Sequence, residues 1–117
     1  MPSHAPDPAA IRARLLAERA ALADASRSAA ESRAPVELDQ TSVGRLSRMD
    51  AMQAQAMALA TERRRADAIR RIDQAIMRLE AGTYGMCVGC GETIVAGRLA
   101  LDPAVATCVA CARGTER

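Results

Sequence analysis

The chain has 117 residues, 26% of them charged, with a formal net charge of +2. Half of the residues are apolar, but 27 are alanine, only 20 are Leu, Ile or Val, and Phe and Trp are absent; burial energy scales with apolar area, so a thick globular core is excluded. All 16 basic residues are Arg, yet the surplus is too small to make a polyelectrolyte field for DNA or an anionic membrane, and no apolar run nears the ~20 residues of a membrane-spanning helix.

Residues 1–6 read as a disordered N-terminus without the apolar stretch of a signal peptide, which places the chain by default in the cytoplasm. His4, in this tail, is given no role. Asp7-Pro8 predicts a helix start, with Asp at the N-cap and Pro at the first helical position. Ile11, Leu15, Leu22, Ala25 and Ala29 then form a narrow seam of coiled-coil type, and helix is predicted to about Arg33. Ala34-Pro35 interrupts it, because proline disfavours α geometry in the residue before it. The segment from about 34 to 43 reads as an irregular tip holding one acidic pair, Glu37 and Asp39. Asp39, Thr41 or Ser42 can cap the next helix.

That second helix is predicted from about Thr41 to Ala81, ended by Gly82 in a left-handed conformation. Its best seam is Ile69, Ile72, Ile76 and Leu79. Leu46, Met49, Ala56 and Leu59 continue the apolar face upstream, with a slip of register near Arg63. Two seamed helices joined by a short segment predict an antiparallel hairpin over residues 7–81. The longer second helix is expected to overhang the first beside the C-terminal module, residues 82–117. Arg63, Arg64, Arg65, Arg70 and Arg71 read as a solvated face partly paired with Glu62 and Asp67. Met49, Met52 and Met57 read as helix-face filler.

The chemistry is concentrated in Cys87, Cys90, Cys108 and Cys111, spaced C-x2-C-x17-C-x2-C. In a reducing compartment such pairs bind metal rather than form disulfides, and the spacing is that of a four-cysteine zinc finger. Two thiolates two residues apart converge on one tetrahedral ion, and four close it, leaving no open position for catalysis. Gly89 and Gly91 around Cys90 suit a tight knuckle with positive φ. The second pair is placed at the start of a short helix, Cys111 to Glu116. Ile94, Val95, Leu99 and Leu101 are the expected small core of the module, with a helical turn before Pro103, and Tyr84 is expected to pack against the knuckle. With one histidine and no glycine-rich phosphate loop, no catalytic constellation is present, and the chain reads as a non-enzyme.

The run from Ile72 to Ala112 resembles the DksA/TraR family. The carrying features are Gly82-x-Tyr84-Gly85-x-Cys87-x-x-Cys90-Gly91-x-x-Ile94, then Arg98-Leu99, Pro103 and Cys108-x-x-Cys111. The resemblance implies a mainly α protein, a coiled-coil hairpin followed by a four-cysteine zinc-finger module with a short C-terminal helix, holding one structural zinc. It implies a bacterial transcription regulator that inserts its hairpin into the secondary channel of RNA polymerase, with ppGpp at the polymerase interface in some members. The family's acidic tip motif, D-x-x-D-x-A, is matched at Asp39, while Ser42 and Gly44 stand in the places of the second aspartate and the alanine. Glu37 and Asp39 are therefore the candidate partner-binding residues. The chain is expected to be a monomer without direct DNA binding. The alternative readings open from the residues are a zinc-stabilised protein-interaction or DNA-binding module and a thiol-redox sensor, each without polymerase activity.

Overall fold

The computed structural model describes residues 7–34 and 45–114. Four α-helices occur in them: α1 (Pro8–Ser28), α2 (Arg45–Ala81), α3 (Ala96–Leu101) and α4 (Val109–Gly114), with a 3-10 turn at Ala30–Arg33 after α1. The architecture is mainly α, a long helical pair followed by a small module. Among the described residues there is no strand, only an isolated antiparallel bridge between Met86 and Thr93. The N-terminal tail, Glu37 and Asp39 of the expected tip, and the caps Thr41 and Ser42 lie outside the described residues.

Local chemistry accounts for the helix ends. The Asp7 carboxylate accepts the Ala9 N–H at 3.1 Å, and Pro8 occupies the first turn, where its missing N–H costs nothing. Regular α structure stops at Ser28 rather than continuing to Arg33. The chain tightens instead into 3-10 geometry, with Ser32 donating to Ala29 O at 3.0 Å and Ala34 to Glu31 O at 3.1 Å. Two causes are visible. Ala34 is extended, ψ 152°, as a residue before proline must be, and Arg33 folds back to donate to Ser26 O at 2.9 Å, satisfying a carbonyl at the helix end. At the other end of the pair, Gly82 has φ +80°. Thr83 donates to Arg78 O at 2.9 Å and Gly82 to Leu79 O at 3.2 Å, the two hydrogen bonds of a Schellman cap.

The two long helices pack as an antiparallel pair, and its apolar core sits at the base. Leu15 is fully buried against Ile72, Ala75 and Ile76, joined by Ala104 from the module; Ile11, Leu22, Leu79 and Tyr84 pack around them. Arg12 pairs with Glu80 at 2.8 Å, and Arg19 grips Asp73 through two hydrogen bonds of 2.6 and 3.1 Å.

Above the base the seam differs from the sequence expectation. Met49, Ala56 and Leu59 are exposed, on the outer face of α2. The half-buried line is instead Ala51, Gln55, Ala58, Glu62, Arg65 and Ile69, leading into the buried Ile72 and Ile76. Its spacing alternates 4 and 3 without interruption, so there is no slip near Arg63. Leu46 has no described side chain. The overhang is also at the other end. Gln55 reaches Ala34 O, so residues 45–54 of α2 run on past the 3-10 turn, by about 15 Å at 1.5 Å per residue.

Candidate metal centre

Three short pieces of chain converge below the hairpin. The first is the bridge hairpin carrying Cys87 and Cys90. Ile94 donates to Gly85 O and Cys87 to Glu92 O, each at 2.8 Å, which folds residues 85–94 back on themselves. Gly91 follows Cys90 with φ +80°, a conformation that a side chain would strain. Gly89 has ordinary φ, so its role differs from the one expected: a Cβ there would lie 3.2 Å from Cys111 Sγ, and the missing side chain makes room for the sulfur. The second piece is α3. The third is the start of α4, where Cys108 precedes Val109 and Ala112 donates to Cys108 O at 2.9 Å. Helix thus begins at Val109 rather than at Cys111.

The four sulfurs all lie within 4.8 Å of one another. Cys90 Sγ and Cys108 Sγ are 3.8 Å apart, far beyond a disulfide bond, and all four cysteines are free. A tetrahedron of sulfurs with zinc–sulfur bonds of ~2.3 Å has edges of about 3.8 Å. Backbone N–H groups already point at the cluster: Gly89 donates to Cys87 Sγ at 3.3 Å and Cys111 to Cys108 Sγ at 3.4 Å. Such donors stabilise thiolate and orient it. Cys87 is buried, Cys108 and Cys111 are half-buried and Cys90 is exposed, so the cluster has a closed floor and one side near solvent.

Four thiols this close cannot all ionise unaided. Backbone N–H groups, that of Cys108 foremost, hold the Cys87 thiol down to about 6. Hydrogen bonding with Cys87, Cys90 and Cys108 pushes Cys111 up to about 12. The first thiolate is welcome and the last is opposed by its neighbours. A divalent cation supplies the positive charge that lets the set ionise together, and the geometry suits one zinc ion.

Behind the cluster, Cys87, Ile94 and Val105 form a small core with Leu99, Cys108 and Cys111 against it. Two of the expected core residues do not belong to it: Val95 is 64% and Leu101 86% exposed. Val105 takes their place and Ala104 joins the hairpin-base core, since the chain turns at Asp102, whose carboxylate accepts the Ala104 N–H at 3.1 Å. The module is fastened to the hairpin by donors that sequence reasoning missed. Arg14 of α1 donates to Ala100 O at 2.8 Å and Arg71 of α2 reaches the Asp102 carboxylate at 2.7 Å, while within the module Arg98 donates to Thr107 O at 2.9 Å. Tyr84 packs against the hairpin-base core, and its hydroxyl donates to Pro103 O at 2.7 Å. Burial raises the Tyr84 pKa, so the hydroxyl stays a donor. The only signal for these contacts was an arginine or tyrosine near the end of an amphipathic helix, which does not name a partner.

Of the residues singled out in sequence, the structure brings the four cysteines together; Glu37 and Asp39 lie outside the described residues. The arginine stretch is largely paired: Arg65 with Glu62, Arg70 with Asp67 and Arg71 with Asp102, while Arg64 donates to Thr61 Oγ1.

Residues 82–117 match the family model of the prokaryotic dksA/traR C4-type zinc finger. Over 49 residues the chain is 45% identical to an uncharacterized protein of Aquifex aeolicus (strain VF5), a segment that is 42% of this chain and 34% of that protein. This chain thus spans about a third of that relative's length. Among solved structures, the fold is similar to that of transcription factor DksA2 from Pseudomonas aeruginosa, with a TM-score of 0.73 over 96% of this chain and 91% of that one. The sequences are 22% identical, so this likeness is one of fold. No described helix is long and apolar enough to cross a membrane.

Proposed function

From the DksA/TraR C4-type zinc finger that the chain carries at residues 82–117, we propose that it is a non-enzymatic transcription regulator of the cytoplasm that binds RNA polymerase with its hairpin. Cys87, Cys90, Cys108 and Cys111 are the ligands of one structural zinc. The ion holds the module together, and the module holds the base of the hairpin. The protein acts as a monomer, without direct DNA contact, and ppGpp joins it at the polymerase interface.

The observation that carries this reading is the pairing of that zinc finger with a hairpin whose fold matches DksA2 over nearly the whole chain. Shape supports it. A helix pair is about 20 Å across at ~10 Å per helix, narrow enough to enter a channel, while the whole molecule measures 70 × 35 × 22 Å. An α2 of 37 residues extends ~55 Å at 1.5 Å per residue, so whatever its far end does happens far from the zinc. Near a catalytic magnesium, the carboxylates of Glu37 and Asp39 would act electrostatically over a few ångströms of low dielectric.

The test is competition on purified bacterial RNA polymerase against a known secondary-channel factor. The reading expects displacement of that factor and a changed lifetime of promoter complexes. A protein that is folded and zinc-loaded but neither binds polymerase nor displaces the factor would refute it.

A further inference from the structure

The seam of the hairpin changes character along its length. Among the described residues, every buried side chain lies at Leu15, at or beyond Ile72, or in the module. Leu22 is the last apolar side chain of α1 packed on that core. Beyond it, the facing positions of α2 are occupied by Arg65 and Glu62 and, past Ala58, by Gln55.

These polar side chains form one connected set centred on Glu62. Its carboxylate accepts from Ser26 of α1, from Arg33 of the 3-10 turn at 3.0 Å and from Arg65 of its own helix at 3.4 Å. Arg33 also donates to Ser26 O at 2.9 Å, and Gln55 donates to Ala34 O. Side-chain exposure is 22% for Arg33, 27% for Glu62 and 23% for Arg65, so these charges are half-buried. A half-buried charge has lost part of its hydration, and its hydrogen-bond partners make up for that loss while they stay in place.

We propose that the Glu62 cluster is a latch that fixes the distal half of the hairpin independently of its base, so that the distal arms can part while the base and the zinc module stay folded. Charge-assisted hydrogen bonds are directional and are lost together, whereas an apolar seam slides and re-forms. Alanine at positions 51 and 58 adds little apolar area to oppose separation. The latch also holds the 3-10 turn: Arg33 ties the end of α1 to α2, so freeing Glu62 frees that turn. A partner that offered its own cation to Glu62 or carboxylate to Arg33 would open it.

Hydrogen exchange on the free, zinc-loaded protein tests this without reference to any partner, so its outcome is separable from that of the polymerase competition. Glu62→Gln keeps the size of the side chain and removes its charge. Amides of residues 26–34 and 55–65 are expected to exchange faster by on the order of tenfold, while those of residues 69–79 change less than about twofold. Arg33→Met, which keeps an apolar stem and removes the other charge, should give the same pattern from the opposite helix and serves if Glu62→Gln folds poorly. Uniform acceleration along both helices would overturn the proposal, because the hairpin would then open as one unit. Unchanged exchange in both variants would overturn it as well, because the cluster would then hold nothing.

Discussion

Leu15 is the most telling position for stability. Its side chain is fully buried, and it packs against Ile72, Ala75 and Ile76 of α2 and Ala104 of the module, so it joins all three parts of the molecule. Leu15→Ala removes about three carbons from water-free surroundings. The transfer loss is ~2 kcal/mol at ~0.8 kcal/mol per methylene, and the cavity left between two long helices adds to it, which gives about 3–4 kcal/mol. Small domains have only about 5–15 kcal/mol in total, and a chain with 20 Leu, Ile and Val among 117 residues belongs at the lower end. The loss is therefore a large share of the whole. Urea unfolding followed by circular dichroism, with zinc present throughout, measures it. Leu16→Ala is the control, since Leu16 is the next residue but 44% exposed, and should cost about 0.5 kcal/mol or less. A loss under about 1 kcal/mol at Leu15, or equal losses at both sites, would refute the placement of the core.

Three further outcomes are expected. Chelation of the metal, or Cys108→Ser, should melt residues 83–113 and leave much of the α1–α2 pair helical; a purified protein holding no zinc would contradict this, as would a module that keeps its fold without the ion. Gly89→Ala should weaken zinc affinity by on the order of tenfold in a competition titration, because the added methyl meets Cys111 Sγ at 3.2 Å; unchanged affinity would show that the sulfur has room to move. The Asp73 carboxyl is held below its usual pKa by its hydrogen bonds from Arg19, so its contribution is present above the ordinary carboxylate range and is lost as pH falls through the folded value. Stability should accordingly drop on acidification below ~4, and less steeply in Asp73→Asn than in the parent; identical pH profiles would remove that pair from the ledger.

How much was readable in the sequence depended on how local the physics is. The zinc knuckles were legible because ligand spacing is a property of a few neighbouring residues, and the four sulfurs meet as that spacing requires. The base seam was legible because Ile72 and Ile76 are large, apolar and helically spaced, and are buried as expected. The distal seam was misread for the same reason. The pattern of Met49, Ala56 and Leu59 is apolar and has the right period, but a heptad running back from Ile76 through Ile69 falls on Glu62 and Gln55 instead. Polar residues at seam positions look like surface until their partners on the other helix, Ser26 and Arg33, are known. Val95 and Leu101 were misplaced because a short loop core is chosen by the fold of the whole module; the turn at Asp102 buries Val105 in their stead and sends Ala104 to the hairpin base.

Glu37 and Asp39 fall in sequence between α1 and α2, outside the described residues. Asp39 has two readings that stability alone cannot separate: a helix cap, worth about 1 kcal/mol, or a carboxylate working on the partner. Asp39→Asn parts them, because asparagine caps as well as aspartate but carries no charge. On the proposed function, Asp39→Asn should leave melting, zinc content and polymerase binding unchanged while its effect on promoter-complex lifetime falls. Glu62→Gln is the complementary variant: it keeps the tip charge and loosens the arms that carry it, so it too should lower the regulatory effect, but with faster exchange at residues 26–34. An Asp39→Asn protein that regulates as well as the parent would take Asp39 out of the mechanism and leave it as a cap.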